Sequence, residues 1–126
     1  MTTKAVSGFL ADWSKTSKEH KTKKRKRTFN NFEVEISPSV RFLTVRINSI
    51  YSTKPGSGQL NKLLSWLSKR ADKHGVILTL CAQPFGWNKD DLPDKDKLKQ
   101  ISERYGFSLN YEYPDGYGYE MIRQPK

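Results

Sequence analysis

Cysteine is nearly absent. Cys81 stands alone in 126 residues, which excludes an internal disulfide and any Cys-based zinc cluster. Histidine is as scarce, with only His20 and His74, so no metal centre is expected. No apolar run approaches the roughly 20 residues needed to span a bilayer. The N-terminus also lacks the apolar centre of a signal peptide. A cytoplasmic protein with neither a membrane nor a metal partner is the expectation. Acidic residues are thin at the start of the chain, where residues 1–27 carry nine Lys or Arg against Asp12 and Glu19. That segment holds +7 of the formal net charge of +10, leaving +3 for the remainder. The folded body is therefore only mildly basic, and a uniformly basic nucleic-acid surface is not what the charge describes.

What is present suffices for one domain with a real core: hydrophobic residues are 35% of the chain and aromatics 12%. Val6, Phe9, Leu10 and Trp13 recur at helical spacing behind Ser7, which predicts a short amphipathic helix that docks on something. From Ser14 to Thr28 there is no apolar side chain beyond threonine methyls. The run Lys21-Thr22-Lys23-Lys24-Arg25-Lys26-Arg27 reads as a linker extended by self-repulsion. Residues 1–28 are accordingly expected to form a basic arm, and residues 29–126 the folded domain. Lys21, Lys23, Lys24, Arg25, Lys26 and Arg27 are candidates for holding nucleic acid or an acidic protein surface, since each phosphate neutralised releases counterions. A solvated tail is the alternative.

The body begins with Phe32, Val34 and Ile36 alternating with Glu33 and Glu35, the pattern of a half-buried strand. Ser37-Pro38-Ser39 reads as a turn, and Val40 to Tyr51 as a second, more central strand. After a Pro- and Gly-rich turn, Leu60, Leu63, Leu64, Leu67 and Ala71 form one apolar stripe at helical period, with Gly75 as the stop. Val76 to Ala82 is apolar on both faces, as a covered strand should be. Leu98, Ile101 and Tyr105 belong to a second helix, capped by Asp94 or Asp96 and closed by Gly106. A hairpin around Pro114-Asp115-Gly116 ends the chain. The order β-β-α-β-α-β-β predicts a mixed α/β sheet flanked by helices, with one right-handed βαβ crossover.

Chemistry concentrates where the long helix begins. A helix starting just past Gly56-Ser57-Gly58 points unpaired N–H groups and its positive dipole end into the turn, an arrangement suited to phosphate. A plain strand-to-helix connection is the alternative. These residues and their order resemble the GNAT superfamily of acyl-CoA N-acyltransferases, from about Phe32 onward. Pro55-Gly56-Ser57-Gly58-Gln59-Leu60 falls without a gap on the family's Gln/Arg-x-x-Gly-x-Gly/Ala motif, followed by the leucines of the helix. Ser102-Glu103-Arg104-Tyr105-Gly106-Phe107 is similar to the helix end that leads into the family's last hairpin. The wording ADKHGVILTLCAQPFG resembles small members encoded by tailed bacteriophages.

The resemblance implies a GNAT-like fold and an acetyl-CoA-dependent N-acetyltransferase acting on an amine of a protein or small molecule. It implies that acetyl-CoA (or CoA) is held by Ile50, Tyr51, Ser52, Lys54, Gly56, Ser57, Gly58, Gln59, Leu60 and Asn61. Pro55 stands where the family has Gln or Arg, and Leu60 replaces a small residue beside the diphosphate. Ser102 occupies the position where many members carry the Tyr that protonates the leaving thiolate. Ser102, Tyr105 and Glu35 are therefore the catalytic candidates. The competing expectation is a GNAT-like binding protein, impaired in turnover, that docks on a host protein or nucleic acid through its arm. The C-terminal hairpin offers an edge for pairing two copies, and a viral origin implies the host cytoplasm.

Overall fold

The structure, a computed structural model, describes residues 2–19, 26–29, 32–39, 41–52, 60–82, 95–114 and 118–126. Among them the chain forms three helices, α1 (Thr2–Thr16), α2 (Leu60–His74) and α3 (Lys95–Arg104). It also forms seven strands: β1 (Lys18–Glu19), β2 (Lys26–Phe29), β3 (Phe32–Ser39), β4 (Thr44–Ser52), β5 (Ile77–Ala82), β6 (Ser108–Glu112) and β7 (Tyr119–Arg123). The sheet order is β1-β2-β3-β4-β5-β7-β6. Only β4 and β5 run parallel, joined by α2 as crossover; the other neighbours are antiparallel. The fold is mixed α/β, as the order of elements predicts.

The leucine stripe of α2 lands where its period puts it. Leu60, Leu63, Leu64, Leu67 and Ala71 are all buried, and each fully buried Leu contributes about 1.5–3 kcal/mol of apolar transfer. The helix stops because Gly75 takes φ 69°, and the Val76 amide then donates to the Ala71 carbonyl at 2.9 Å. The stripe meets Val34, Val45, Ile47 and Ile50 from the sheet, with Leu78, Leu80 and Met121. All three helices share one face. α3 joins α2 through the Tyr105 hydroxyl on Asn61 and through Arg123, which reaches both Asp72 and the Tyr105 carbonyl.

Three expectations need correcting. Ser37-Pro38-Ser39 does not break β3: it continues the strand opposite Arg46, Val45 and Thr44. Among the described residues β2 pairs with β3 only as far as Glu35, so Pro38 has a paired strand on the β4 side alone. The turn falls instead at 41–43, where Leu43 adopts φ 52° and Phe42 is 65% exposed. β5 is not covered equally on both sides: Leu78, Leu80 and Ala82 are buried, whereas Ile77, Thr79 and Cys81 are half-buried on the face without helices. Finally, Lys26–Phe29 is no linker. It pairs residue for residue with Phe32–Glu35. The expected N-terminal helix does dock: Val6, Phe9 and Trp13 are at most 2% exposed and belong to the same core as α2.

Candidate functional site

β4 and β5 pair from Thr44–Ile77 to Ile47–Leu80 and then part. Beyond that point β4 stays with β3, Ser49 to Ser52 lying opposite Glu35 to Phe32. β5 stays with β7, Cys81 opposite Glu120 and Ala82 opposite Tyr119. One extra residue marks the divergence. Ile36 pairs with Ile47 and Glu35 with Ser49, so Asn48 is bulged out of the β3–β4 ladder. A bulge bends a strand and increases its twist. The backbone of β4 past Asn48 has thereby lost its β5 partner, and the Ser49 Oγ beside it is buried with no hydrogen-bond partner. Buried polar groups without a partner are rare in folded chains.

α2 begins after this stretch, and the amides of its first turn have no intrahelical acceptor. Leu60, the bulky residue of the motif, is 8% exposed and joins the core, so its side chain is turned inward. Asn61 accepts a hydrogen bond from the Tyr105 hydroxyl at 3.1 Å. The start of α2 and the end of α3 are thus brought together. Ile50 is buried on β4, and the backbones of Tyr51 and Ser52 complete that strand. Lys54, Gly56, Ser57, Gly58 and Gln59 lie outside the described residues.

The three catalytic candidates separate. Ser102 is buried, and its Oγ donates to the Leu98 carbonyl at 2.8 Å, a bond within its own helix. Glu35 accepts from Asn48 Nδ2 at 3.2 Å on the helix-free face, away from α2. Tyr105 packs half-buried against the core with its hydroxyl at the first turn of α2. Of the arm, Lys21, Lys23, Lys24 and Arg25 lie outside the described residues, and Lys26 pairs across the ladder with Glu35. Arg27 binds Ser17 Oγ at 2.6 Å and the carbonyls of Ser17 at 2.9 Å and Ser14 at 3.1 Å. Its guanidinium closes the end of α1, where a cation suits both the free carbonyls and the dipole.

One polar cluster has no signal in the sequence. Arg46, Thr79, Glu120 and Tyr113 meet on the helix-free face of β4, β5 and β7. Arg46 holds Glu120 with both nitrogens, Nη2 at 2.9 Å from Oε1, and the Tyr113 hydroxyl donates to the same Oε1 at 3.0 Å. The hydrogen bond to Glu120 raises the Arg46 and Tyr113 pKa values above their ordinary values. Cys81 lies across the ladder from Glu120, and burial, aided by that carboxylate, pushes its thiol up. A thiol held protonated is a poor nucleophile.

No protein-family model matches the chain, and no curated protein does. Among solved structures, an acyl-CoA N-acyltransferase from Pseudomonas aeruginosa is similar, with a TM-score of 0.52 and 19% sequence identity. The likeness covers 73% of this chain and 59% of that one, so this chain spans less than two thirds of the length of that protein. The seven-stranded mixed sheet with its helices matches the GNAT acyltransferase fold.

Proposed function

We propose that the chain is an acyl-CoA-dependent N-acyltransferase, with acetyl-CoA as donor and an amine of a protein or small molecule as acceptor. The observation that carries this reading is the parting of β4 and β5 after Ile47–Leu80, in a fold shared with an acyltransferase, at the strand that leads to α2. Free amides there suit an acyl carrier. Those of β4 past Asn48 are suited to the thioester carbonyl, and those that open α2 at Leu60 and Asn61 to the diphosphate. CoA, when bound, supplies the activated thioester. Transfer to an amine nitrogen would form a C–N bond as the C–S bond breaks, so the amides of β4 past Asn48 would polarise the carbonyl while the thiolate leaves. The amine proton and the thiolate's need for one then balance. None of the three candidates is placed to protonate the thiolate: Ser102 is committed to Leu98, Glu35 faces the opposite side, and the Tyr105 hydroxyl is bonded to Asn61 at the diphosphate end.

Calorimetric titration with acetyl-CoA tests the reading, with Gly58→Glu as the variant that should lose binding. Saturable binding by the native chain and none by the variant is expected; no saturable binding at millimolar ligand overturns it. Given activity, Tyr105→Phe should raise KM for acetyl-CoA more than it lowers kcat, and Ser102→Ala should leave kcat within about twofold.

A binding protein without turnover is the second reading, favoured by the commitment of the Ser102 hydroxyl to Leu98. Its charged segment is residues 21–25. Deleting residues 1–27 would remove Val6, Phe9 and Trp13 from the core, so neutralising Lys21, Lys23, Lys24 and Arg25 together is the clean variant. Loss of partner affinity and of its salt dependence supports the reading; unchanged affinity refutes it. Pairing of two copies through β6, whose five residues are all exposed, belongs to either reading. So does a cytoplasmic setting, that of the host if the chain is phage-encoded.

A further inference from the structure

Away from the parting of β4 and β5, a cleft of about 280 Å³ lies between α2 and the end of α3. Asp72 is its acidic side chain, and it is fully engaged. Arg123 binds both of its oxygens at 2.8 Å, and the Lys126 amide donates to it at 2.9 Å. All three guanidinium nitrogens of Arg123 are engaged in turn, since its Nε donates to the Tyr105 carbonyl at 2.5 Å. This neutral pair forms one wall. The other charged side chains of the cleft are Lys69, Arg104 and Lys126, all exposed; Lys126 adds its charge to Asp72, while Lys69 and Arg104 have no acidic partner among the described residues. Ser65 and Ser68 add hydroxyls from α2. Ser68 is only 6% exposed, and its Oγ is buried with no hydrogen-bond partner. A hydroxyl in that state costs stability that a fold carries only where something offsets it.

Cations at the rim, serines along the wall and an acidic side chain already held by Arg123 are complementary to one chemistry. We propose that this cleft binds a phosphate group, either free phosphate or a small phosphate monoester. Arg104 offers a planar fork suited to two phosphate oxygens, Lys69 and Lys126 offer point charges, and Ser68 gains the partner it lacks. The volume sits at the lower edge of the roughly 300–1,000 Å³ used by drug-sized ligands, which fits a small anion. The inference does not depend on the acyl-transfer reading.

Inorganic phosphate, titrated into the full chain at constant ionic strength and followed by amide and Arg Nε NMR shifts, tests it. Saturable shifts with a millimolar dissociation constant are expected at Ser68, Lys69 and Arg104. Phosphoserine titrated in parallel separates the sources: tighter binding than inorganic phosphate assigns a monoester site, and equal or weaker binding assigns a free-phosphate site. Arg104→Gln should weaken binding about tenfold, the loss of a charge-assisted bond. Ser68→Ala should weaken it severalfold while Tm holds or rises, because the unpartnered hydroxyl is removed; a purely structural serine would lower Tm and leave affinity alone. Shifts that chloride reproduces at equal ionic strength, or a dissociation constant that neither variant alters, overturn the proposal.

Discussion

Trp13→Ala asks whether the N-terminal helix is part of the core or an appendage. Trp13 is 2% exposed, stacks on Phe29 with centroids 5.9 Å apart and 16° between planes, and meets Trp66 at 5.4 Å. Phe9 adds an edge contact to Trp66 at 6.1 Å. The four rings come from α1, β2 and α2, so the box fastens three elements that are distant in sequence. Truncating a buried Trp to Ala costs about 3–5 kcal/mol through lost transfer energy and the cavity left behind. Against a total of about 5–15 kcal/mol for a domain, that is about a fifth of the stability or more. Trp13→Phe behaves differently. The indole Nε1 is buried without a partner, and an unpaired buried donor costs about 1–3 kcal/mol. Phe removes that penalty along with part of the ring, so the net loss should stay below about 2 kcal/mol. Urea denaturation followed by far-UV circular dichroism reads both values without relying on the fluorescence of the mutated residue. A Trp13→Ala loss below about 1 kcal/mol at unchanged m-value would refute the docked helix.

Asp72→Asn strands Arg123, which keeps only 3% of its side chain in water. A loss of about 1.5–3 kcal/mol is expected, toward the bottom of that span because Asp72 itself is 31% exposed and screened. The hydrogen bond from Arg123 holds the Asp72 pKa below its ordinary 3.8, and that from His74 does the same for Asp12. Both carboxylates therefore contribute stability that is complete above about pH 4 and lost as pH falls through their folded-state values. Thermal melts between neutral pH and pH 3 should show this loss, and Asp72→Asn should flatten it; an unchanged acid slope contradicts the pairing. Glu120→Gln should bring the Tyr113 phenol back down toward its ordinary 10.0, read by ultraviolet titration, and should quicken alkylation of Cys81. No change in either would mean that Glu120 does not govern that face.

How far the sequence is legible depends on whether burial follows the local period. The α2 stripe is legible because each of its apolar residues meets the sheet on one face. β2 is not: Lys26, Arg27 and Thr28 carry no apolar signal, and only charge marks them as a linker. They enter the sheet because Phe29 joins the aromatic box and Arg27 binds Ser14 and Ser17 on α1. Those are tertiary interactions with no local trace. Arg46 and Glu120 are a harder case, 74 residues apart and joined only by the register of β4, β5 and β7. Of the candidate site, the start of α2 can be read from its leucines. The commitment of Ser102 to Leu98 cannot, since a serine one helical turn past a leucine is equally compatible with a hydroxyl facing a cleft.

The parting of the strands did leave a trace in the sequence, and its form shows why it is easy to miss. Along β4, Val45 and Ile47 are buried two residues apart, and then Ile50 is buried three residues on. A regular strand puts residues 47 and 50 on opposite faces. Two β-branched residues at that spacing, both inward, require one extra residue between them, and Asn48 is that residue. A long apolar run hides the break in period because every candidate register looks hydrophobic. The bulge is what lets β4 keep its core face toward α2 while its far end turns from β5, so a single inserted residue serves both the packing and the opening. Deleting Asn48 should therefore extend the β4–β5 ladder and abolish acetyl-CoA binding together. A variant that stays folded, regains the ladder by amide protection and still binds the thioester would separate the two, and with them the link between this bulge and the proposed chemistry.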